Sequence, residues 1–326
     1  MASSEHLKAL LLSHVSRDDE RFLSVALQVA AHEARSGHGK LAQELRNIVE
    51  KARRQPVSPS PVSIAKGLRD ATGLLIASTP KLRLTDLVAP PEVKDRLGRV
   101  IREQRHAAKL KNHGLSPRRK LLLVGPPGTG KTFTASILAG ELGFPLFQVR
   151  LDALITKFMG ETSAKLRQVF DAVSGVRGVY FFDEFDALGS QRSASNDVGE
   201  ARRILNSFLQ MIEQDDSNSL IVCATNHEGI LDHALFRRFD DVVRYRLPGP
   251  SEIVTLFQDR LVPYVDNAFP WERLMDLAAG LSSAEVTLVA QDAVKEMLIE
   301  DRDKITLEQL EAAINDRRGM AHDLTD

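Results

Sequence analysis

The sequence has 326 residues but only one cysteine, Cys223, and no long apolar run. One cysteine cannot form an intramolecular disulfide, and no group of Cys and His residues has the spacing of a metal site, so a disulfide-stapled domain and a zinc module are excluded. No stretch approaches the ~18 apolar residues of a membrane span, and the first residues lack the apolar core of a signal peptide. These absences predict a cytoplasmic protein with no membrane partner.

Net charge is also nearly absent, because 43 Lys and Arg residues stand against 44 Asp and Glu residues, a balance of −1. The balance hides a division: residues 1–120 carry 23 basic and 12 acidic side chains, whereas residues 121–326 carry 20 and 32. The segment 94–120 is strongly basic, with ten Lys or Arg residues and two acidic ones. A nucleic-acid-binding surface is one interpretation of this segment.

The helical pattern of segment 94–120 favours another interpretation. Four of its arginines, at residues 96, 99, 102 and 105, flank the apolar positions of one amphipathic helix, which are Val93, Leu97, Val100 and Ile101. Such arginines fit a solvated helix face or a contact with an acidic neighbour. No aromatic residues are interleaved for stacking on bases. Nucleic-acid binding is therefore kept as the alternative hypothesis.

Changes of pattern divide the chain into four parts. Residues 1–54 predict short helices with apolar stripes, which suit partner docking or oligomerisation. Residues 55–80 begin with a Pro/Ser-rich stretch typical of an extended linker. Residues 81–248 alternate helices with short buried strands, the pattern of a parallel α/β sheet, and residues 249–326 are all helical.

The strands and helices of the last two parts can be predicted individually. Five strands are expected at residues 121–124, 147–150, 179–182, 220–224 and 242–247. Four helices are expected at residues 251–265, 271–279, 283–300 and 306–318. These elements predict a parallel sheet followed by a small helical domain.

A glycine-rich motif follows the first predicted strand. Residues 125–132 read G-P-P-G-T-G-K-T, which satisfies G-x-x-x-x-G-K-[ST] between a strand and a helix. Backbone N–H groups of such a loop close on phosphate oxygens, assisted by the helix N-terminus. Lys131 is expected to reach the β- and γ-phosphates, and the Thr132 hydroxyl to bind Mg²⁺.

Polar residues end two later strands. Asp183 and Glu184 follow four apolar residues, so Asp183 is expected to hold the Mg²⁺ shell and Glu184 to act as general base on the attacking water. Asn226 follows the next strand, at the carboxyl edge of a doubly wound sheet, where its amide could orient that water. Arg237 and Arg238 come shortly after it and offer planar, permanently charged groups suited to a transferring phosphoryl group.

In this order the motifs resemble those of AAA+ ATPases, specifically the AAA family proper that contains spastin, katanin and the membrane-bound and proteasomal unfoldases. The resemblance covers about residues 81–318. It implies an α/β P-loop NTPase fold with a parallel five-stranded sheet and a helical lid domain. It also implies a homo-oligomeric ring, expected to be a hexamer. The implied roles are Walker A for Lys131 and Thr132, Walker B for Asp183 and Glu184, sensor 1 for Asn226, and trans-acting arginine fingers for Arg237 and Arg238.

The same resemblance completes an ATP-binding set. Its members are Leu87, Val88, Pro127, Gly128, Thr129, Gly130, Lys131, Thr132, Phe133 and Ala284. Two family motifs are altered here. Asp-Ile-x-Gly beside the adenine reads Asp-Leu-Val-Ala from Asp86, and Gly-x-Ser-Gly-Ala-Asp in the lid carries Ser283 in place of its second glycine. The second change is expected to alter the approach of the lid helix to the nucleotide.

A short segment resembles the aromatic–hydrophobic–Gly loop that lines the pore of polypeptide translocases. It consists of Lys157, Phe158, Met159 and Gly160. A ring of exposed phenylalanines can grip an extended chain by bulk, without reading its sequence, and a glycine gives the loop freedom. Phe158 and Met159 are the expected grip residues.

The resemblance therefore implies Mg²⁺-dependent ATP hydrolysis that threads and remodels a polypeptide. The N-terminal helices would recruit an adaptor or a separately encoded protease, because the sequence has no H-E-x-x-H metalloprotease motif. Two alternatives stay open. One is a nucleic-acid-associated ATPase, of loader or transposition-regulator type, that uses segment 94–120, and the other is a nucleotide-gated scaffold with slow turnover.

Overall fold

A computed structural model describes residues 71, 73–155, 159–189, 198–227 and 236–322, with short stretches between residues 25 and 47. The chain divides into two units, Met1–Pro61 and Val62–Asp326. In the first unit the described residues are helical, and Val25, Val29 and Ala30 are buried. This spacing agrees with the predicted helical stripe. The boundaries predicted at residues 54 and 80 stay predictions.

Six strands of the second unit form one sheet, in the order β1-β3-β4-β5-β2-β6. They are β1 (Leu75–Ser78), β2 (Lys120–Val124), β3 (Leu146–Val149), β4 (Val179–Phe182), β5 (Leu220–Thr225) and β6 (Asp241–Arg244). Strands β2 to β6 pair in parallel, as the sequence predicts. Strand β1 pairs antiparallel with β3 and is a sixth strand, absent from the predicted sheet of five. It lies within residues 55–80, which were predicted as linker.

Helices cover both faces of the sheet and build the last part of the unit. They are α1 (Pro91–Arg105), α2 (Ala107–Asn112), α3 (Lys131–Leu142), α4 (Leu151–Leu154), α5 (Met159–Gly175), α6 (Val198–Gln214), α7 (Pro250–Leu261), α8 (Glu272–Leu277), α9 (Ser283–Ile299) and α10 (Leu307–His322). The four helices predicted after residue 248 are therefore present. Helix α7 ends before the predicted residue 265, and a 3-10 turn, Val262–Tyr264, follows it.

The core follows from the alternation of side chains along each strand. On one face of the sheet, Leu122, Tyr180 and Cys223 pack with apolar residues of α5 and α6. On the other face, Leu121 and Phe181 pack with residues of α1 and α3. Because both faces are covered by helices, β2, β4 and β5 are apolar except for Lys120 and Thr225 at strand ends. A separate cluster joins α7 to α10 in the C-terminal helical part.

The strand order brings the expected site residues together. Strand β5 lies between β4 and β2, and all three run in the same direction. Their carboxyl ends therefore meet at one edge of the sheet, where ligands bind in open α/β sheets. The glycine-rich loop follows β2, the pair Asp183 and Glu184 follows β4, and Asn226 follows β5.

Candidate active site

The glycine-rich loop is held between strand β2 and helix α3. Gly128 has a φ of +72°, which side-chain-bearing residues rarely adopt. A Cβ at this position would also lie 2.5 Å from Ser282 Oγ and 3.2 Å from the Ala284 Cβ. Only glycine therefore fits at residue 128. The close contact brings the loop against the N-terminus of lid helix α9.

The lid contact includes hydrogen bonds. The Ala284 N–H donates to the Gly128 carbonyl at 2.9 Å. Ser282 caps helix α9: its Oγ accepts from the Glu285 N–H at 3.3 Å, and Glu285 Oε2 accepts from the Ser282 N–H at 2.7 Å. This capping box fixes where the helix begins. The structure thus places Ala284 beside the loop, although Ser283 replaces the family's glycine.

Lys131 begins helix α3 with its side chain folded over the loop. Its ammonium donates to the Gly125 and Pro126 carbonyls, both at 2.7 Å. Burial lowers the pKa of this ammonium. Three carboxylates oppose part of that shift: Asp183, Asp186 and Glu184. The cation therefore lies near the acidic end of β4, where a phosphate chain in the loop would also reach it.

Thr132 and Asp183 form the nearest pair of oxygen ligands. The Thr132 hydroxyl donates to Asp183 Oδ2 at 2.8 Å. Among the described residues, no group of three His, Cys, Asp or Glu side chains could hold a metal. One hydroxyl and one carboxylate nevertheless fit Mg²⁺, which binds few protein oxygens and completes its shell with water and phosphate.

Glu184 and Asn226 lie on neighbouring strand ends. The Asn226 side-chain amide donates to Glu184 Oε1 at 3.4 Å. The Glu184 N–H donates to the carboxylate of Asp183 at 3.0 Å. Glu184 also has a φ of +48°, a left-handed conformation that costs a non-glycine residue on the order of 1 kcal/mol. The fold therefore holds the predicted general base in one specific orientation.

A cavity of about 620 Å³ connects these groups. Its lining includes every residue of the predicted ATP-binding set, together with Asp183, Glu184 and Asn226. The lid contributes further residues that the sequence did not predict: Leu256, Asp259, Arg260, Thr287, Leu288 and Gln291. Apolar side chains from both parts, such as Leu87, Leu256 and Leu288, give the cavity walls suited to a flat base.

Two predicted groups are not brought to this cavity. Arg237 and Arg238 do not line it. Arg237 is exposed, and the guanidinium of Arg238 forms an ion pair with Glu213 at 3.2 Å. Of the predicted pore segment, Lys157 and Phe158 lie outside the described residues, as does the Met159 side chain. The described part shows only that Met159 and Gly160 begin helix α5 and that Gly160 is exposed.

Sequence reasoning missed two features near the loop. Asp186 is 7% exposed, and its Oδ1 has no hydrogen-bond partner among the described residues. The Tyr245 hydroxyl lies 2.6 Å from Thr134 Oγ1. An acidic residue three positions after Asp183 was the available signal for the first. The second pair is 111 residues apart in the chain, and no local pattern signals it.

Comparison with known proteins identifies the family. The profile described as "ATPase family associated with various cellular activities (AAA)" matches residues 121–247. An uncharacterised AAA family ATPase of Sinorhizobium fredii is 35% identical over 320 residues, which are 97% of this chain and 96% of that protein. A proteasome-activating nucleotidase of Saccharolobus solfataricus is 30% identical over 295 residues, covering 82% and 74% of the two chains.

A third relative is an ATP-dependent zinc metalloprotease FtsH of Mesoplasma florum, 29% identical over 245 residues. This match covers 73% of the chain but only 38% of that protein. Within the described residues, none of the helices combines the length and the apolar composition of a membrane span.

The matched profile and these relatives show that the chain belongs to the AAA family and is a P-loop ATPase that binds and hydrolyses ATP.

Proposed function

We propose that the chain couples ATP hydrolysis to the unfolding or remodelling of polypeptides that it threads through a ring of its own copies. The observation that carries this proposal is the acidic pair Asp183 and Glu184 beside the loop. Glu184 accepts a hydrogen bond from Asn226 and donates its N–H to Asp183. A site that only bound nucleotide would need no such base. Relatives named as a protease and as a proteasome activator support a polypeptide as the object of the work.

Each residue has a part in the hydrolysis. Lys131 exchanges its two loop carbonyls for β- and γ-phosphate oxygens when ATP enters. Thr132 and Asp183 hold Mg²⁺, which when bound neutralises charge on the β- and γ-phosphates. Glu184 polarises the attacking water as general base. The Asn226 amide fixes the Glu184 carboxylate and orients that water.

The position of the arginines supports a ring of subunits, which we expect to be a hexamer. Arg237 and Arg238 do not line their own cavity, so they need a neighbouring subunit's nucleotide to act on. Contacts that join one surface to a different surface of the next copy close into rings. In the single subunit, Arg238 forms an ion pair with Glu213 of the same chain.

The pore segment would contact the threaded chain. Lys157 and Phe158 come just before α5 in the chain, and Met159 and Gly160 are the first two residues of that helix. Residues 1–54 would recruit an adaptor or a separately encoded protease. A cytoplasmic location fits these partners.

Ion pairs make nucleic acid the less favoured ligand. Four arginines of segment 94–120 pair with carboxylates of their own chain. The pairs are Arg96–Asp241, Arg105–Glu141, Arg118–Glu103 and Arg119–Asp215. Charge committed in this way releases fewer counterions from a nucleic acid, so it contributes less to binding.

The grip residue tests the proposal. Phe158→Ala is expected to keep ATP hydrolysis but to abolish ATP-dependent unfolding of a fluorescent protein fused to an unstructured tail. Phe158→Tyr, which retains the aromatic ring, is the matched control and is expected to keep both activities. Unfolding of the reporter by Phe158→Ala at the wild-type rate would reject threading by this segment.

A further inference from the structure

Tyr245, which directly follows β6, touches both ends of the glycine-rich loop. Its N–H donates to the Val124 carbonyl at 2.7 Å, just before the loop begins. A Cβ on Gly125 would lie only 2.4 Å from the Tyr245 carbonyl oxygen, and Gly125 has a φ of +151°. The backbone of Tyr245 therefore packs against the first residue of the loop.

The side chain of Tyr245 reaches the other end of the loop. Its hydroxyl lies 2.6 Å from Thr134 Oγ1, and that hydroxyl in turn lies 3.0 Å from the Gly130 carbonyl. A carbonyl can only accept, so Thr134 donates to it and Tyr245 donates to Thr134. Burial raises the pKa of Tyr245 above its usual range, so the phenol keeps the proton that it donates.

The carbonyl at the end of this chain belongs to a functional peptide group. Because a peptide unit is planar, the direction of the Gly130 carbonyl sets the direction of the Lys131 N–H. That N–H is one of the first donors of helix α3, which have no partner within their own helix and can bind an anion. The Gly130 carbonyl also accepts the Thr134 N–H at 2.9 Å, so the hydroxyl chain from Tyr245 adds a second hydrogen bond to this peptide, whose glycine has a φ of +98°.

Another buried tyrosine shows the ordinary structural use of such a hydroxyl. The Tyr180 hydroxyl donates to the Ala172 and Val176 carbonyls, at 2.7 and 2.9 Å, near the C-terminus of α5. Those carbonyls do not line the nucleotide cavity. Tyr245 differs because its hydrogen bonds end on the loop.

We propose that Tyr245 is a positioning residue for phosphate binding: through Thr134 it orients the Gly130–Lys131 peptide so that the Lys131 N–H points at the nucleotide. The inference rests on the proposed role of residues 125–132 as the phosphate site. Tyr245 does not contact the substrate in this arrangement. It acts only through the loop.

The test compares variants of Tyr245, Tyr180 and Thr134 by direct binding of a fluorescent ATP analogue and by steady-state hydrolysis. Tyr245→Phe removes only the donor, and the loss of one net hydrogen bond corresponds to roughly a fivefold weaker affinity and a fivefold higher KM for ATP, with kcat within about twofold. Tyr180→Phe is the matched control, expected to lower the melting temperature and leave affinity and KM unchanged. Thr134→Ser keeps the connecting hydroxyl and is expected to bind ATP like the wild type.

The combination of variants separates positioning from structure. Thr134→Val should weaken binding, and adding Tyr245→Phe to it should weaken binding no further, because the chain is already broken. If Tyr245→Phe only lowers the melting temperature, as Tyr180→Phe does, the positioning role is overturned. If Tyr245→Phe does not fold, the Thr134→Val and Thr134→Ser pair decides, and equal affinities for these two overturn it. If the wild type does not unfold the fluorescent reporter, the proposed function is rejected, but the comparison of ATP binding among the variants still tests the role of Tyr245.

Discussion

The side-chain amide of Asn226 donates a 3.4 Å hydrogen bond to the Glu184 carboxylate across the carboxyl ends of β5 and β4. The two residues follow two neighbouring strands of the sheet, so the strand pairing sets their separation. In the proposed mechanism this hydrogen bond holds the base ready to take a proton from water once ATP is bound.

Replacing that base should separate binding from hydrolysis. Glu184→Gln keeps the size and the acceptor oxygen but removes the charge, so ATP affinity is expected to stay within about twofold while kcat falls by roughly 10²–10⁴-fold. Asn226→Ala leaves the carboxylate in place and is expected to lower kcat by a smaller factor. Radiolabelled ATP binding and phosphate release measure the two effects. Normal turnover by Glu184→Gln would contradict the assignment of the base.

Mixing two inactive variants tests whether the arginines act on a neighbour. Lys131→Ala removes nucleotide contacts, and the double change Arg237→Ala/Arg238→Ala removes the arginines. In an equal mixture, about a quarter of ring interfaces join an intact loop to intact arginines, so hydrolysis should return to a comparable fraction. Phosphate release measures it. A mixture as inactive as its components would argue against action between subunits.

Gly128 should be intolerant of any side chain. Gly128→Ala places a Cβ 2.5 Å from Ser282 Oγ and also strains the backbone, so ATP affinity is expected to fall by at least about tenfold. Gly143→Ala is the matched control, because Gly143 has a φ of +66° but no atom near its Cβ position. It is expected to lose about 1 kcal/mol of stability and no affinity. Isothermal titration measures ATP affinity and denaturant unfolding measures stability. Equal ATP affinities of Gly128→Ala and Gly143→Ala would show that the lid contact does not affect ATP binding.

Glu141 should make stability depend on acid pH. The Leu84 N–H and the Arg105 guanidinium donate to its carboxylate at 2.9 and 2.6 Å, and these bonds lower its pKa below the usual 4.5. A lowered folded-state pKa stabilises the protein above the unfolded value, and the stabilisation is lost as pH falls through the folded value. Glu141→Gln is therefore expected to cost about 1 kcal/mol at pH 7 and progressively less below about pH 4.5. Urea unfolding of the wild type and Glu141→Gln at pH 7 and below about pH 4.5 measures this effect. A difference in unfolding free energy that is the same at both pH values would contradict it.

The sequence predicted what local patterns encode. Short local motifs predict the loop 125–132, the acidic end of β4 and the amide after β5. The strand order then brings these three features together. Strand β1 escaped prediction because it is a short edge strand whose residues after Leu75 are exposed, so burial leaves no alternating pattern in them. The Tyr245–Thr134 and Arg238–Glu213 contacts escaped it because they join distant segments, and side-chain type alone does not reveal such pairs.

The left-handed backbone at Glu184 limits how this protein can be stabilised. Glycine or asparagine would occupy that conformation at lower conformational cost, yet either one removes the carboxylate. A stabilising substitution at position 184 is therefore expected to be an inactivating one. Selection for thermal resistance in this fold has to act elsewhere, and an engineered variant that gains stability at residue 184 should be checked first for lost turnover.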